Sequence, residues 1–333
     1  MKGNSRSRSF EICKVAGQAA LVLACLAAFS RGQQTASQNA PAPATAPSTQ
    51  AATAYGTGFD TPQLAAAKLV QAAGDFDETG LVEMFGPGGD AVVFTGELPQ
   101  DKERAADFAA MAHEKMSVSV EPKNGNRAFV LVGNEDWPFP VPLVKAGSKW
   151  YFDSKAGEQE LLYRRIGANE NDAIDLCEGY VEAQYDFAYQ KRSGYEVNQY
   201  AQHIIAPAGT QDGLAWQDSD GTWKGPIGEK VARAIVDGYQ SGQPYHGYFF
   251  KVLKGQGKDA PLGEMNYVVK GVMIGGFALV ASPAEYRVTG VKTFIVSNDG
   301  VVYEKDFGAA TADEFKKMEV FNPDKSWMPV TNQ

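Results

Sequence analysis

The chain has only three cysteines, at positions 13, 25 and 177, in 333 residues. Two of them fall in a basic and apolar N-terminal segment. The folded body is therefore left with Cys177 alone and no intramolecular disulfide. Such a body must be held together by its core. Histidine is equally scarce. His113, His203 and His246 stand far apart, with no metal-ligand spacing between any two. No basic stripe is present. The formal net charge is −9; the first 30 residues carry +3, which leaves −12 for the remainder. A body this acidic repels nucleic acid and anionic membrane surfaces, so neither is an expected partner. Ser-His-Asp order, nucleophile elbow, phosphate loop, dinucleotide fingerprint and CxxC are all missing. The chemistry that those motifs announce is not legible here, and no cofactor is expected.

What is present begins with an export signal. Lys2, Arg6, Arg8 and Lys14 form a positive n-region before the apolar run Val15 to Phe29. That run is shorter than the roughly 20 residues of a comfortable membrane span. Ala28-Phe29-Ser30 offers small residues for cleavage, so residues 1–30 are read as a signal peptide and the protein as exported, to the periplasm or beyond. Lipidation at Cys25 and a retained anchor are the alternatives, and the only routes to a membrane. Within residues 31–58, rich in Ala, Pro, Ser and Gln, the stretch Gln33 to Ala54 has almost no large apolar side chain that would offset ordering entropy. Residues 31–58 are read as a disordered tether.

Two domains are expected beyond the tether, at residues 59–167 and 168–333. The first opens with helical patterns: one capped by Asp60 or Thr61 with Pro62 in its first turn, Asp77 to Phe85, and Asp101 to about Lys115. Strand patterns follow: Ser117 to Glu121, Arg127 to Val132, Val141 to Lys145 and Lys149 to Asp153. Helices first and an antiparallel sheet second define an α+β layer. The second domain reads the same way. Helical patterns cover Glu158 to Ile166 and Asn169 to Gln190, the latter with Ile174, Cys177, Val181, Gln184, Tyr185 and Ala188 on one side. Cys177 is thereby expected to be a buried, inert thiol. A short helical piece is expected at Gln199 to Ile205 and a further helix at Ile227 to Tyr239. The organising sheet comprises Tyr245 to Lys254, Phe277 to Ala281, Val291 to Val296 and Val301 to Lys305. Asn298-Asp299-Gly300 makes its last tight turn.

Four stretches carry a resemblance: DWPFPVPLVKAGSKWYFD (Asp136 to Asp153), RRIGANENDAI, PYHGYFFKVL, and GGFALVASPAEYRVTGVKTFIVSNDGVVYEKDFG. They resemble a bacterial family known as domain of unknown function 2950, over roughly Phe59 to Val330. The family carries no established activity. The first half is similar to the cone-shaped nuclear-transport-factor-2-like and cystatin-like domains, with PLVKAGSKWYFD as their closing hairpin. The second half resembles the globular head of type IV pilins and pseudopilins. It lacks the long apolar stem before Asn169 that packs pilin filaments. These resemblances imply folds and not activities.

The candidate site residues are few. His246, between Tyr245 and Tyr248, offers a titratable ring among aromatics at the start of a strand. The bland alternative is a hydrogen-bonded turn histidine. His113 is read as a surface residue, and His203 as a helix-end residue favoured by the dipole. Asp218 and Asp220 open like a calcium loop, with Glu229 in register as its twelfth position. The glycine is misplaced for an EF-hand, so a solvated turn competes with a metal site. Trp137 and Phe139, held by flanking prolines, either bind a ligand or close a core. Asp136 and Asp153, the latter near Glu158 and Glu160, are candidate acid–base groups. The expected function is a binding or interaction module for an envelope protein or a glycan. The alternative is an enzyme with a small apolar-substrate pocket in the first domain, using a carboxylate or histidine.

Overall fold

The computed structural model describes residues 54–94, 98–190, 196–229, 232–233 and 243–331. The expected signal, most of the tether and most of the helix expected over Ile227 to Tyr239 lie outside these residues. The fold is α+β with antiparallel sheets, and the chain divides into two compact units between Arg164 and Arg165. No described helix is long and apolar enough to cross a membrane.

The unit ending at Arg164 begins with four helices: α1 (Pro62–Gly74), α2 (Glu78–Phe85), α3 (Gly89–Val93) and α4 (Leu98–Glu114). Thr61 caps α1 by accepting the Leu64 N–H, with Pro62 in the first turn, where its missing N–H leaves nothing unpaired. Asp77 caps α2 through the Gly80 N–H. The sheet then forms from β1 (Met116–Val120), β2 (Arg127–Val132), β3 (Trp137–Pro138), β4 (Leu143–Ala146) and β5 (Lys149–Phe152), in the order β1-β2-β4-β5 with β3 beside β2. The β4–β5 hairpin is the one expected from PLVKAGSKWYFD. Strand β2 alternates half-buried and buried residues, with Ala128, Val130 and Val132 facing the helices. Ahead of α1, Tyr55 stacks on Tyr151 and Thr57 donates its N–H to Glu83. Packing thus reaches into residues that composition alone assigned to the tether.

Helix α5 (Ser154–Tyr189) is continuous, where two helical patterns were expected. Gly167 lies within it. Glycine weakens a helix interior without removing a hydrogen bond, so the helix runs through it. The buried face in the second unit is Ala173, Cys177, Tyr180, Gln184 and Phe187, rotated from the expected stripe. The large rings of Tyr180 and Phe187 take the core position, while Tyr185 is exposed and donates its hydroxyl to the Asn298 carbonyl.

That face packs on the sheet β17-β16-β15-β14-β9, formed by β9 (Tyr248–Leu253), β14 (Ala278–Pro283), β15 (Thr293–Ser297), β16 (Val302–Lys305) and β17 (Met328–Pro329). β14 and β15 are buried along their whole length, as the unbroken apolar runs require. The β15–β16 turn forms at Asn298-Asp299-Gly300, where Gly300 takes φ +77° and Asp299 accepts the Val301 N–H. Gln199 to Ile205 is not helical. It ends in β6 (His203–Ile205), paired in parallel with β7 (Gly213–Gln217), which pairs with β8 (Trp223–Lys224). Pairing of Ile205 with Ala215 outweighs the local helical pattern. Small ribbons β10 (Gly255–Gln256) with β11 (Met265–Asn266), and β12 (Val268–Val269) with β13 (Val272–Met273), sit between β9 and β14 in sequence. Helix α6 (Thr311–Lys317) precedes the C-terminal strand.

Candidate functional site

The polar side chains that converge in the second unit, Asn169, Glu170 and Asp172, come from one run on α5. They meet two turns, one at Tyr245 to Tyr248 and one at Ala284 to Lys292. In the first, Tyr245 and Tyr248 exchange N–H to carbonyl bonds, both at 3.0 Å. The two residues between them take left-handed backbone: His246 at φ +49° and Gly247 at φ +74°. Consecutive positive φ values are the signature of a type I′ turn, where glycine is at ease and histidine is among the few tolerated side-chain residues.

Asp172 fixes the histidine. Its Oδ2 lies 2.6 Å from His246 Nδ1, and the two side chains are 39% and 46% exposed. The pair is therefore reachable from solvent. The Tyr245 ring lies edge-on to the imidazole, centroids 4.4 Å apart. Asn169 Nδ2 donates to the Thr289 carbonyl at 2.8 Å, and a Cβ at Gly247 would stand 2.5 Å from that same nitrogen. Only glycine fits there. Partial desolvation, then repulsion from Asp172, holds the Asp175 carboxyl above its ordinary range.

Behind this corner lies Tyr248, which is buried and donates its hydroxyl to the Lys292 carbonyl at 2.9 Å. Burial, then the Glu170 carboxylate, pushes its phenol well above the ordinary range. Tyr248 was a candidate ligand contact; burial removes it from the surface. The aromatic recognition strand expected from Tyr245 to Phe250 thus loses Tyr248 to the core, while Phe249 and Phe250 stay half-buried.

The other candidates are occupied by structural partners. Asp153 caps α5, accepting the Ala156 N–H at 3.1 Å. Asp136, at φ +53°, pairs with Lys115 at 2.7 Å. Phe139 packs with Phe85, Phe108 and Phe152, which is core closure. Trp137 lies under the Arg164 guanidinium at 4.3 Å, and that arginine also donates to the Pro138 carbonyl. Asp218 accepts the Trp216 indole N–H. Asp220 accepts the Thr222 N–H, and those bonds to Thr222 hold its carboxyl below the ordinary range. Glu229 pairs with Arg233 at 2.7 Å. Asp218 and Asp220 thus serve the β7–β8 turn while Glu229 serves an ion pair. Among the described residues no three His, Cys, Asp or Glu side chains form a metal-holding group. His113 is exposed on α4, as expected. His203 lies in a strand, 3.5 Å from Asp212, rather than at a helix end.

Sequence reasoning named His246 as a candidate but not Asp172, its partner in the structure, which stands 74 residues away. The only signal was the dense polar run on an otherwise amphipathic helix.

A two-unit α+β chain is thereby defined, with a solvent-reachable imidazole–carboxylate corner at His246 and Asp172. Residues 57–330 match the family described as protein of unknown function (DUF2950), and the chain belongs to that family. No curated protein and no solved structure matches the chain significantly.

Proposed function

We propose that this is an exported cell-envelope protein that works as a binding module, with Tyr245, His246 and Asp172 as its recognition corner. The observation that supports the reading is the His246–Asp172 pair, half exposed and carried on left-handed backbone. Backbone of that kind recurs where a side chain is held for use. An aromatic ring beside a carboxylate and an imidazole suits a hydroxyl-rich ligand such as an envelope glycan. The ring offers an apolar face, while Asp172 and His246 accept and donate hydrogen bonds. Export rests on the basic and apolar N-terminal segment.

Binding of the mature chain to an array of bacterial envelope glycans tests it. Wild type is expected to retain a defined set of glycans that His246→Ala and Asp172→Asn lose, with melting temperatures of the variants within a few degrees of wild type. Equal binding by all three proteins, or none by wild type, removes the reading.

A second reading is catalytic. A carboxylate that holds Nδ1 orients an imidazole and leaves Nε2 as a proton acceptor, the arrangement of a general base. It moves the enzyme alternative from the first unit to the second. Turnover of a bound glycan by wild type but not by His246→Gln would favour it.

A further inference from the structure

Strand β1 ends the sheet of the first unit, and among the described residues only β2 pairs with it. The opposite end of that sheet is covered. There Phe59 and Trp150 exchange N–H to carbonyl bonds at 2.8 and 2.7 Å, beside β5. The ladder fixes which way each backbone group of β1 points. Gly133 donates its N–H to the Lys115 carbonyl, and Glu121 donates to the Arg127 carbonyl, both at 2.9 Å. Hydrogen-bonded pairs alternate along an antiparallel ladder, so Ser117 and Ser119 also turn their backbone groups toward β2. Met116, Val118 and Val120 turn theirs outward. Among the described residues, none of these outward groups has a hydrogen-bond partner.

Proteins commonly blunt a free edge with a proline, a charge or a bulge. Strand β1 has none of these. It reads Met-Ser-Val-Ser-Val, and its register to β2 is unbroken. Its apolar side chains are left as open as its backbone. Met116, Val118 and Val120 lie opposite Val132, Val130 and Ala128, so all three share the helix-facing side. Val118 packs on the core there, yet Met116 and Val120 are 38% and 41% exposed.

We propose that β1 pairs with β1 of a second copy of this chain, antiparallel about a two-fold axis at Val118. In that register Val118 faces Val118 and Met116 faces Val120. Each outward N–H meets an outward carbonyl, and none is left over. The side chains agree with the backbone. Met116 and Val120 cover one another on the helix side, and Ser117 lies opposite Ser119 on the other. At both ends Lys115 of one copy stands opposite Glu121 of the other, a pair of opposite charges. Lys115 is 44% exposed beside Asp136, so it can reach that carboxylate. Slipping the register by two residues spoils the match. One direction sets Met116 against Pro122, which has no N–H to give, and Lys115 against Lys123. The other sets Val120 against Glu114, the last residue of α4. This self-complementarity favours a second copy over an extended peptide from another protein, which β1 could bind without it. Pairing uses up the free edge, so assembly stops at two copies. A contact this small belongs with the weak interfaces.

Analytical ultracentrifugation of residues 31–333, which keep every described residue, tests the proposal from micromolar to near-millimolar concentrations. The expected result is a monomer–dimer equilibrium with nothing larger. Val118→Pro removes one outward donor from each copy and spares the bonds to β2. It should weaken the dimer about 10- to 100-fold. Glu121→Lys sets like charges at both ends and covers the case in which the proline variant fails to fold. It should weaken the dimer about tenfold at low salt and less at high salt. Cross-linking reads the register. A mixture of Ser117→Cys and Ser119→Cys chains should form the mixed disulfide readily, and neither variant alone should, with buried Cys177 staying out of the reaction. The proposal is overturned by a monomer at every concentration, by assemblies larger than a dimer, or by a dimer that Glu121→Lys leaves unweakened. Cross-links within either cysteine variant alone, or none in the mixture, overturn it equally.

Discussion

One carboxylate oxygen of Glu170, Oε1, accepts two successive backbone donors, the Val291 N–H at 2.8 Å and the Lys292 N–H at 2.9 Å. Helix α5 is thereby fastened to the chain just before β15. Charge-assisted bonds of this kind outweigh neutral ones.

Replacing that acceptor should therefore be felt. Glu170→Ala leaves two backbone donors unpaired and should lower unfolding free energy by about 2 kcal/mol. Glu170→Gln keeps an acceptor oxygen and should lose clearly less. Urea denaturation of the three proteins checks the order, and equal losses for both variants would show that packing, not the bonds, holds this contact.

A larger effect is expected at Gln184. It is fully buried, donates to the Tyr180 hydroxyl and the Ala201 carbonyl, and accepts the Ala201 N–H. Gln184→Leu fills similar volume but strands both backbone groups of Ala201. A loss of roughly 2 to 4 kcal/mol follows. Stability equal to wild type would mean that Ala201 finds other partners.

At His246 the backbone and the side chain can be separated. His246→Ala removes the ring but keeps a Cβ at φ +49°. His246→Gly removes both. The glycine variant should be the more stable of the two by about 1 kcal/mol, and both should lose ligand if the corner binds. Calorimetric melting of the pair decides the first point.

The Cys177 thiol is fully buried, and burial, then the Glu178 carboxylate, pushes it far above the ordinary thiol range. Little reactive thiolate can form in the folded state. Ellman's reagent at pH 8 should therefore label Cys177 very slowly in a native chain that lacks residues 1–30, and at once when that chain is unfolded in urea. Rapid native labelling would show that this part of α5 opens readily.

Asp175 supplies a pH dependence of known sign. Its carboxyl is held above the ordinary range by partial desolvation and then by Asp172. A carboxyl raised by folding weakens the fold once ionised, above its folded pKa. The penalty fades as pH falls through that value toward the unfolded one. Asp175→Asn should thus raise the melting temperature at pH 7, and the gain should vanish near pH 3. A gain that persists unchanged at pH 3 would assign it to something other than charge.

Local patterns foretold much of this fold. The capped helices at Thr61 and Asp77, the hairpin closed at Gly147, and the buried strands β14 and β15 all arise from neighbours in sequence. The failures share a cause. Gln199 to Ile205 ended in a strand at His203 to Ile205 because Ala215 pairs with Ile205, and Tyr248 left the surface because its register across β14 turned it inward. Asp136 and Asp153 looked like free acids because Lys115 and the first turn of α5 are invisible to composition.

The sequence by itself determined an α+β chain with antiparallel strands, a thiol at Cys177 among apolar helix neighbours, and an acidic balance of charge. Each follows from residue type and short-range periodicity, which act before the chain has folded. Only tertiary structure decided which polar residues meet. It set Asp172 against His246, put Glu170 on the donors of Val291 and Lys292, and left β1 at the end of its sheet. Those partners are separated by dozens of residues or more, and their meeting depends on strand register and on which face of α5 turns inward. That choice is made by the packing of large side chains such as Tyr180 and Phe187, a property of the whole core rather than of any stretch.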